Sequence, residues 1–532
     1  MSGFRTPEQP RGQSVLWAHR LEDAVPSDHP VRHLNYLLNG AAFADTFENW
    51  SSEYVLLEGK PPYHPRDLSG LFLYGMMNRI RSSRQLESAC HNRVDVIWLM
   101  QGQKPDHSTI ASFVKQHSKH LRKLFRDVLG VAIRAGLVAL DNVAVDGTKI
   151  EADAGKHSVR SKQKIESWLS HLDEKIDALE SEWADNEQRE TLLLGDRAPW
   201  IPPKNGTEKH KLAKMKRQRD RLDKALQQIE RRRRESPSRR APKAIASTTD
   251  PDSRSMKDKE GRCKPNYNGQ AAVDDAHGVI TATDVNDQPN DSGQLTPLVE
   301  QTVVNCGQTP RTVSADSQYN TGPELASMED KGIISYLPDS GQNSASLPLD
   351  ETVRQALEAV GQRHLLTEEQ WQVLPKNSEG LIQKSAFTYD KPKDEYRCPA
   401  GRWLRVLRTS HDKNKWGTAI RRQYGHPTAC ASCAHAAMCC KDAAKGRMIN
   451  RDQYEDHRER LRERMGTEIG RSLYRRRKHT VEPRFGQIKH VLGVRRFMRR
   501  GLASARTEWS MVCTAVNIGI LLRHWKEVTA IF

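Results

Sequence analysis

Aromatic side chains make up only 6% of this 532-residue chain, and there are nine cysteines. Nine cysteines over such a length do not make a disulfide framework; clustered thiols in a reducing compartment point instead to metal. No stretch approaches the roughly 18 consecutive apolar residues that a membrane span needs. The segment Met1 to Gln13 is polar, without the apolar centre of a signal peptide. The expectation is a soluble, cytoplasmic protein that makes no use of a membrane.

Hydrophobic residues at 36% suffice for true cores, and charged residues at 28% leave much polar surface. At roughly 100–200 residues per domain the length suggests about three or four domains. The 84 Lys and Arg exceed the 67 Asp and Glu by 17. Such a surplus favours a polyanionic partner, most economically nucleic acid, although a basic soluble protein without that role has the same composition.

Residues 1 to about 140 read as helical. Pro61, Pro62 and Pro65 mark a loop before an apolar helix through Leu68, Leu71, Leu73, Met76 and Met77. Ser83 to Glu87 resembles an approximate capping box. Pro105 to Thr109 forms a turn ahead of a helix with Ile110, Phe113 and Val114 on one face. Short helices around a turn fit a DNA-binding helix-turn-helix and fit an ordinary bundle equally well.

Asn142 to Ile150 reads as a buried strand carrying Asp146. Then Ile165, Trp168, Leu169, Leu172, Ile176, Leu179 and Trp183 recur at helical spacing, as do Leu212, Met215, Leu222, Leu226 and Ile229. A proline-rich connector with Pro199, Pro202 and Pro203 separates them, which predicts an antiparallel helical hairpin. Its second arm ends in Arg231 to Arg234, a solvated face or a phosphate contact. Strands follow at Tyr267–Val273 and Gly278–Val285, a helix over 295–304, a strand at Arg311–Ala315 leading into Asp316, and a strand at Ile333–Leu337. From about 340 to 465 the pattern is lost; from about 467 the chain is helical again and basic up to Arg500.

Asp146 and Asp316 each sit at or just past an apolar strand, where a carboxylate is costly unless paired or bound to a cation. Glu482 is a third candidate, beside an apolar stripe of Val481, Phe485, Ile488 and Leu492. Lys489 falls on the side of Glu482, and Lys478 joins them if the helix extends back. Pro483 requires that the helix start near Thr480 or kink. Three such carboxylates suit a pair of Mg²⁺ ions that activate one oxygen and stabilise another; among many acidic residues, an ordinary surface trio is the alternative.

Cys430 and Cys433 form a CxxC pair, with Cys439 and Cys440 beyond and Cys398 upstream. Cys398, Cys430, Cys433 and Cys439 can bind a structural Zn²⁺ tetrahedrally, with His426 and His435 as rival ligands; free, partly buried thiols are the alternative. Cys90, Cys263, Cys306 and Cys513 are isolated and read as core residues. Arg471, Arg475, Arg476, Arg477, Lys478, Arg484, Lys489, Arg495, Arg496, Arg499 and Arg500 concentrate one sign of charge around Glu482, which suits DNA phosphates and predicts steep salt dependence.

Taken in order, these segments resemble bacterial insertion-sequence DDE transposases. The segments are Pro105 to Ile110, Val145 to Lys149, Tyr267 to Gln270, Ala315 to Tyr319, Tyr396 to Gly401 and Thr480 to Gly486. The resemblance runs over roughly residues 15 to 525.

It implies an α/β RNase H-like catalytic core with an N-terminal helical domain and two insertions. Residues 1–140 are then the helical DNA-binding domain and 141–345 the core, with the helical hairpin inserted at about 160–245. The cysteine-containing insertion is 346–465, and basic helices over 466–532 complete the core. Asp146, Asp316 and Glu482 are the implied catalytic residues, holding two Mg²⁺, or Mn²⁺ in vitro.

A Tyr…Arg…Glu…Lys signature is also implied, its basic members contacting DNA. Glu482 and Lys489 match it with six residues between them. The Arg position is held by Lys478, with Arg477 one residue early and Tyr474 four residues before Lys478, so the upstream half departs. Lysine cannot make the arginine fork, which changes that phosphate contact.

The implied activity is cleavage at the terminal inverted repeats of the parent element and joining to target DNA, by a homodimer or larger assembly, in a nucleoid-associated state. Two other readings fit the same residues: an inactive DNA-binding derivative that still occupies the element ends, and a structure-specific nuclease on the same core.

Overall fold

Among the described residues, apolar residues at helical spacing fold the N-terminal part of the chain into seven α-helices in the computed structural model. These are α1 (Pro30–Asn39), α2 (Ala41–Ser52), α3 (Pro65–Met77), α4 (Ser83–Asn92), α5 (Val94–Leu99), α6 (His107–Gln116) and α7 (Ser118–Arg134). The structure describes residues 20–54, 61–194, 206–235, 244–257, 261–338, 351–362, 365–377, 379–414 and 417–531. The polar start Met1–Gln13 and the connector with Pro199, Pro202 and Pro203 lie outside the described residues.

Two compact units result. One comprises the described residues up to Leu137 together with Gln487–Arg499 and the chain from Ala503; the other comprises Val138–Gly486 with Arg500–Leu502.

In the first unit, side chains set the helix starts. Ser82, one residue before the expected position, caps α4: its Oγ accepts the Gln85 N–H at 3.1 Å, and Gln85 Oε1 accepts the Ser82 N–H at 3.3 Å. Asp106 caps α6 by accepting the Ser108 and Thr109 N–H groups, each at 2.8 Å. Ile110, Phe113 and Val114 are buried as the apolar face requires.

The helix Leu502–Arg523 is buried without interruption from Thr507 to Ile518. A helix covered all round belongs inside a bundle, so the chain beyond Gly486 packs mainly with the N-terminal helices, and the expected completion of the core by 466–532 ends there. Within that bundle Glu508 is fully buried, accepts Arg81 Nη2 at 2.8 Å and the Met498 N–H at 2.9 Å, and so is not left as an isolated charge.

The second unit is built on a mixed α/β sheet. Its strands are β1 (Asn142–Glu151), β4 (Arg254–Lys257), β5 (Cys263–Asp274), β6 (Ile280–Asn286), β7 (Thr312–Ser314) and β8 (Ile334–Tyr336); β2 (Val159–Ser161) and β3 (Ile245–Ser247) form a separate antiparallel pair. The order is β4-β5-β1-β7-β8, with β6 also on β5. β1 runs antiparallel to β5 and parallel to β7, which is parallel to β8. Val143, Val145, Ala272 and Ala282 pack a core with Leu298 and Val299 of α10 (Leu295–Cys306) and Leu325 and Met328 of α11 (Gly322–Asp330).

Between β2 and β3 stands the hairpin of α8 (Lys162–Leu194) and α9 (Gly206–Glu235). Ile165, Leu172 and Ile176 meet Leu212, Leu222 and Ile229 along its seam. Arg219, which interrupts that seam in the sequence, bonds Asp173 at 2.5 Å. The arginine run is not simply a solvated face. Arg232 is 5% exposed, and its guanidinium bonds Asp287 at 3.2 Å and the carbonyls of Asp252 and Ser253 at 3.1 and 3.0 Å. Arg231 also pairs with Asp287.

The cysteine-containing insertion has its own core, in which Trp371, Phe387, Tyr396, Leu404 and Tyr424 are buried. Helices α12 (Glu351–Gly361) and α13 (Glu368–Val373) precede a five-stranded sheet in the order β13-β12-β11-β10-β9. Its strands are β9 (Thr388–Asp390), β10 (Glu395–Arg397), β11 (Trp403–Asn414), β12 (Gly417–Gly425) and β13 (Ile449–Asp452), with short helices α14 (Pro427–Ala431) and α15 (Ala436–Cys439) before β13. The chain then returns through α16 (Glu455–Gly466), α17 (Glu468–Thr480) and α18 (Glu482–Gly486).

Candidate active site

Two carboxylates come together at one end of a parallel strand pair. β1 and β7 are parallel, with Ala144 opposite Ser314. The pairing ends there: two residues on, Asp146 continues β1, while Asp316 lies just past the end of β7, near enough for its charge to act on the Asp146 carboxyl. This is the carboxyl end of the parallel pair, where open α/β sheets bind ligands.

Asp146 Oδ2 accepts Arg477 Nη1 at 3.0 Å, and its Oδ1 accepts the Gly147 N–H at 2.8 Å. Burial pushes the Asp146 carboxyl up to about 6; Arg477 and the Gly147 N–H pull it back, and the nearby charges of Asp316 and Asp291 add to the rise. Asp316 is half-buried and caps the turn Ser317–Tyr319 by accepting the Gln318 N–H at 2.8 Å.

The third candidate is placed differently. α17 ends at Thr480, Val481 keeps helical angles, and α18 restarts at Glu482, so Thr480 ends a helix instead of capping the start of one, and Pro483 lies in a first turn. Val481, Phe485, Ile488 and Leu492 are all buried, as the stripe predicts, while Glu482 is exposed. Among the described residues no group of three or more His, Cys, Asp or Glu side chains is arranged to hold a metal ion. Asp146 and Asp316 are brought together; Glu482 does not complete such a group with them.

The basic residues divide between interior and surface. Arg477 is buried on Asp146, with its guanidinium 5.6 Å from the centre of the half-buried Tyr474 ring. Arg484 donates to the His277 carbonyl at 2.8 Å. Gly278, at φ +71°, lies against that guanidinium so closely that a Cβ would fall 2.0 Å from its Nη2. Arg476 pairs with Asp275 at 3.0 Å, and Arg500 with Asp153 at 2.9 Å. Arg475 and Lys478 are exposed on α17, and Lys489 is half-buried in a π-helical turn, Gln487–Val491. Arg495, also exposed, bonds His490 at 3.0 Å.

Three residues given no role at the site by the sequence stand beside the two aspartates. Asp291 Oδ1 accepts Asn268 Nδ2 at 2.6 Å and Gln270 Nε2 at 2.5 Å, and all three are buried. The available signal was alternation: Asn268 and Gln270 place polar groups at every second position of an otherwise apolar strand.

The expected zinc site is not supported. Cys398, Cys430, Cys433, Cys439 and Cys440 line one small pocket with His426 and His435. Both histidines have other roles: His426 caps α14 by accepting the Ala429 N–H at 3.2 Å, and His435 stacks on Trp371 with ring centres 3.9 Å apart. Burial pushes the Cys439 thiol up to about 12 and also raises Cys398. Of the isolated cysteines, Cys90 and Cys513 are buried, Cys306 is half-buried, and Cys263 is exposed, contrary to its core expectation.

Among the described residues no helix is long and apolar enough to cross a membrane. Residues 397–522 match the family model of the transposase DDE domain, a stretch that takes in the cysteine cluster, Glu482 and Lys489. Residues 19–116 match the model of a transposase domain, DUF772, within the helical N-terminal part. Asp146 and Asp316 lie outside both stretches. No curated protein and no solved structure matches the chain. Both similarities are to transposases, and together they support an insertion-sequence DDE transposase.

Proposed function

We propose that this chain is a DNA transposase with an RNase H-like catalytic core, which binds the terminal inverted repeats of its insertion sequence and carries out metal-dependent strand cleavage and strand transfer. The observation that carries the reading is the placement of Asp146 on β1 and of Asp316 just past the end of β7, the parallel neighbour of β1, with the charge of Asp316 acting on the Asp146 carboxyl. Their carboxylate oxygens are the hard donors that Mg²⁺ prefers, and Glu482 is the third carboxylate by the sequence pattern. A divalent ion bound there would stabilise charge on the attacking and leaving oxygens of an in-line displacement.

The chain's own groups do the remaining work. Arg477 holds Asp146 in place through its bond to Oδ2. The exposed Arg475 and Lys478 provide phosphate contacts on α17, the Tyr474 ring lies beside the Arg477 guanidinium, and Arg484 within α18 and Lys489 in the turn that follows it add further basic groups. Hydrolysis of one phosphodiester leaves a 3′-hydroxyl at the element end. That hydroxyl attacks a target phosphodiester and displaces its 3′ oxygen, so each step forms one P–O bond and breaks another. Two element ends must be held at once, which favours a homodimer or larger assembly on DNA.

The test is cleavage of duplex DNA carrying the parent element's ends, with Mg²⁺, by wild type, Asp146→Asn and Asp316→Asn. Metal-dependent cutting at the ends, lost in both variants, is the expected result. Cutting that survives both substitutions would overturn the reading. End binding without cutting by folded wild type would favour a DNA-binding derivative.

A further inference from the structure

We propose that Asp291 is a positioning residue that sets the spacing of Asp146 and Asp316 through the buried amide of Gln270. This inference rests on the catalytic reading above and assigns to that site a residue outside the expected trio.

Asp291 lies just before α10, 8% exposed, and one of its oxygens receives both the Asn268 and the Gln270 amide N–H groups. An ionised carboxylate only accepts, so both amide nitrogens must face it. The Gln270 amide therefore has a single orientation, with Oε1 turned away from Asp291. That oxygen accepts the Tyr319 hydroxyl at 2.5 Å. Tyr319 is fully buried and closes the turn that Asp316 caps. The loop makes a second tie to the same turn: Ser292 Oγ donates to the Gln318 carbonyl at 3.1 Å.

The same network presses on the strand carrying Asp146. Gly147 faces Gln270 across β1 and β5. A Cβ at Gly147 would lie 2.3 Å from Gln270 Nε2 and 2.5 Å from Asp291 Oδ1, so the amide and carboxylate rest against the backbone directly after Asp146. Asp291 thus touches the backbone next to one aspartate and reaches the turn of the other through two hydrogen bonds.

A neutral amide at position 291 removes the charge that imposes this orientation. The Gln270 amide can then turn, and Tyr319 loses its fixed acceptor. Displacements of about 1 Å in a catalytic constellation cost about a hundredfold in rate.

The experiment compares wild type, Asp291→Asn, Tyr319→Phe and Asp146→Asn. Each is measured for end cleavage, affinity for end DNA, thermal midpoint and the Mg²⁺ concentration giving half-maximal cleavage. Asp291→Asn is expected to bind end DNA as wild type does, cut about a hundredfold more slowly, and need more Mg²⁺. Tyr319→Phe is expected to shift rate and Mg²⁺ requirement in the same direction by less, and it decides the matter should Asp291→Asn fail to fold.

Wild-type rates in both variants, with Asp146→Asn inactive, would overturn this inference alone. Loss of DNA affinity and thermal midpoint in step with rate, at an unchanged Mg²⁺ requirement, would reduce Asp291 to a structural role and overturn it as well. Wild-type cutting by Asp146→Asn would instead overturn the catalytic reading.

Discussion

Arg477 Nη1 meets Asp146 Oδ2 at 3.0 Å, and neither side chain is more than 17% exposed. An arginine from the basic run 475–478 is therefore the counter-charge of a strand carboxylate. Replacing it with alanine leaves a buried charge without its partner, at a cost of about 3 kcal/mol. Arg477→Ala is expected to lower the denaturation midpoint accordingly, and Arg477→Lys to recover part of it. An unchanged midpoint in Arg477→Ala would show that the pair adds nothing to the fold.

Arg232 anchors the helical hairpin to the loop before β4 and to Asp287, which is itself 4% exposed. Arg232→Ala should cost about 3 kcal/mol. Arg232→Lys should not restore it, because a point charge cannot serve a carboxylate and several carbonyls at once. Limited proteolysis reads the consequence directly: cleavage within α8 and α9 should accelerate in both variants relative to wild type.

The charged cluster around α16 makes the second unit acid-sensitive. Glu455 is buried with Lys384, Arg458 and Arg462 around it, and these partners hold its carboxyl below the ordinary 4.5 against the opposing effect of burial. Asp452, beside Arg458, is likewise lowered against burial, as is Glu329 beside Arg460 and His457. A depressed folded value means stability that is present in full above the unfolded value and lost as pH falls through the folded one. The thermal midpoint should therefore fall as the pH drops below about 4.5. Glu455→Gln should show a shallower fall; an identical pH profile would remove Glu455 from the account.

The thiols should differ in reactivity. Burial pushes Cys90 up to about 11 and Cys306 and Cys439 up to about 12, whereas Cys263 is exposed. Because the thiolate is the nucleophile, alkylation of the native protein near neutral pH should label Cys263 first and Cys439 far more slowly. Peptide mass mapping over time checks the order, and early labelling of Cys439 would contradict the burial seen here.

Much of the framework is local enough to read from the chain. Alternation in Tyr267 to Val273, the apolar run around Asp146, and the recurring Leu and Ile of the hairpin each specify an element through its own periodicity. The strand sequence with its intervening helices follows, as does the suspicion that falls on Asp146 and Asp316, since a carboxylate at the end of an apolar strand is conspicuous in one dimension.

What tertiary structure decided is which distant groups meet. Parallel pairing of β1 with β7 brings Asp146, on β1, near Asp316, just past the end of β7. A basic run looks uniform in sequence, yet a helix points neighbouring residues in different directions. So Arg477 and Arg232 turn inward to carboxylates while Arg475 and Lys478 stay in solvent. Glu482 shows the reverse: its pattern matches, but it is exposed at the start of α18. Asp291 is one acidic residue among 67. Only folding, by burying it against the amides of Asn268 and Gln270, gives it a distinct role.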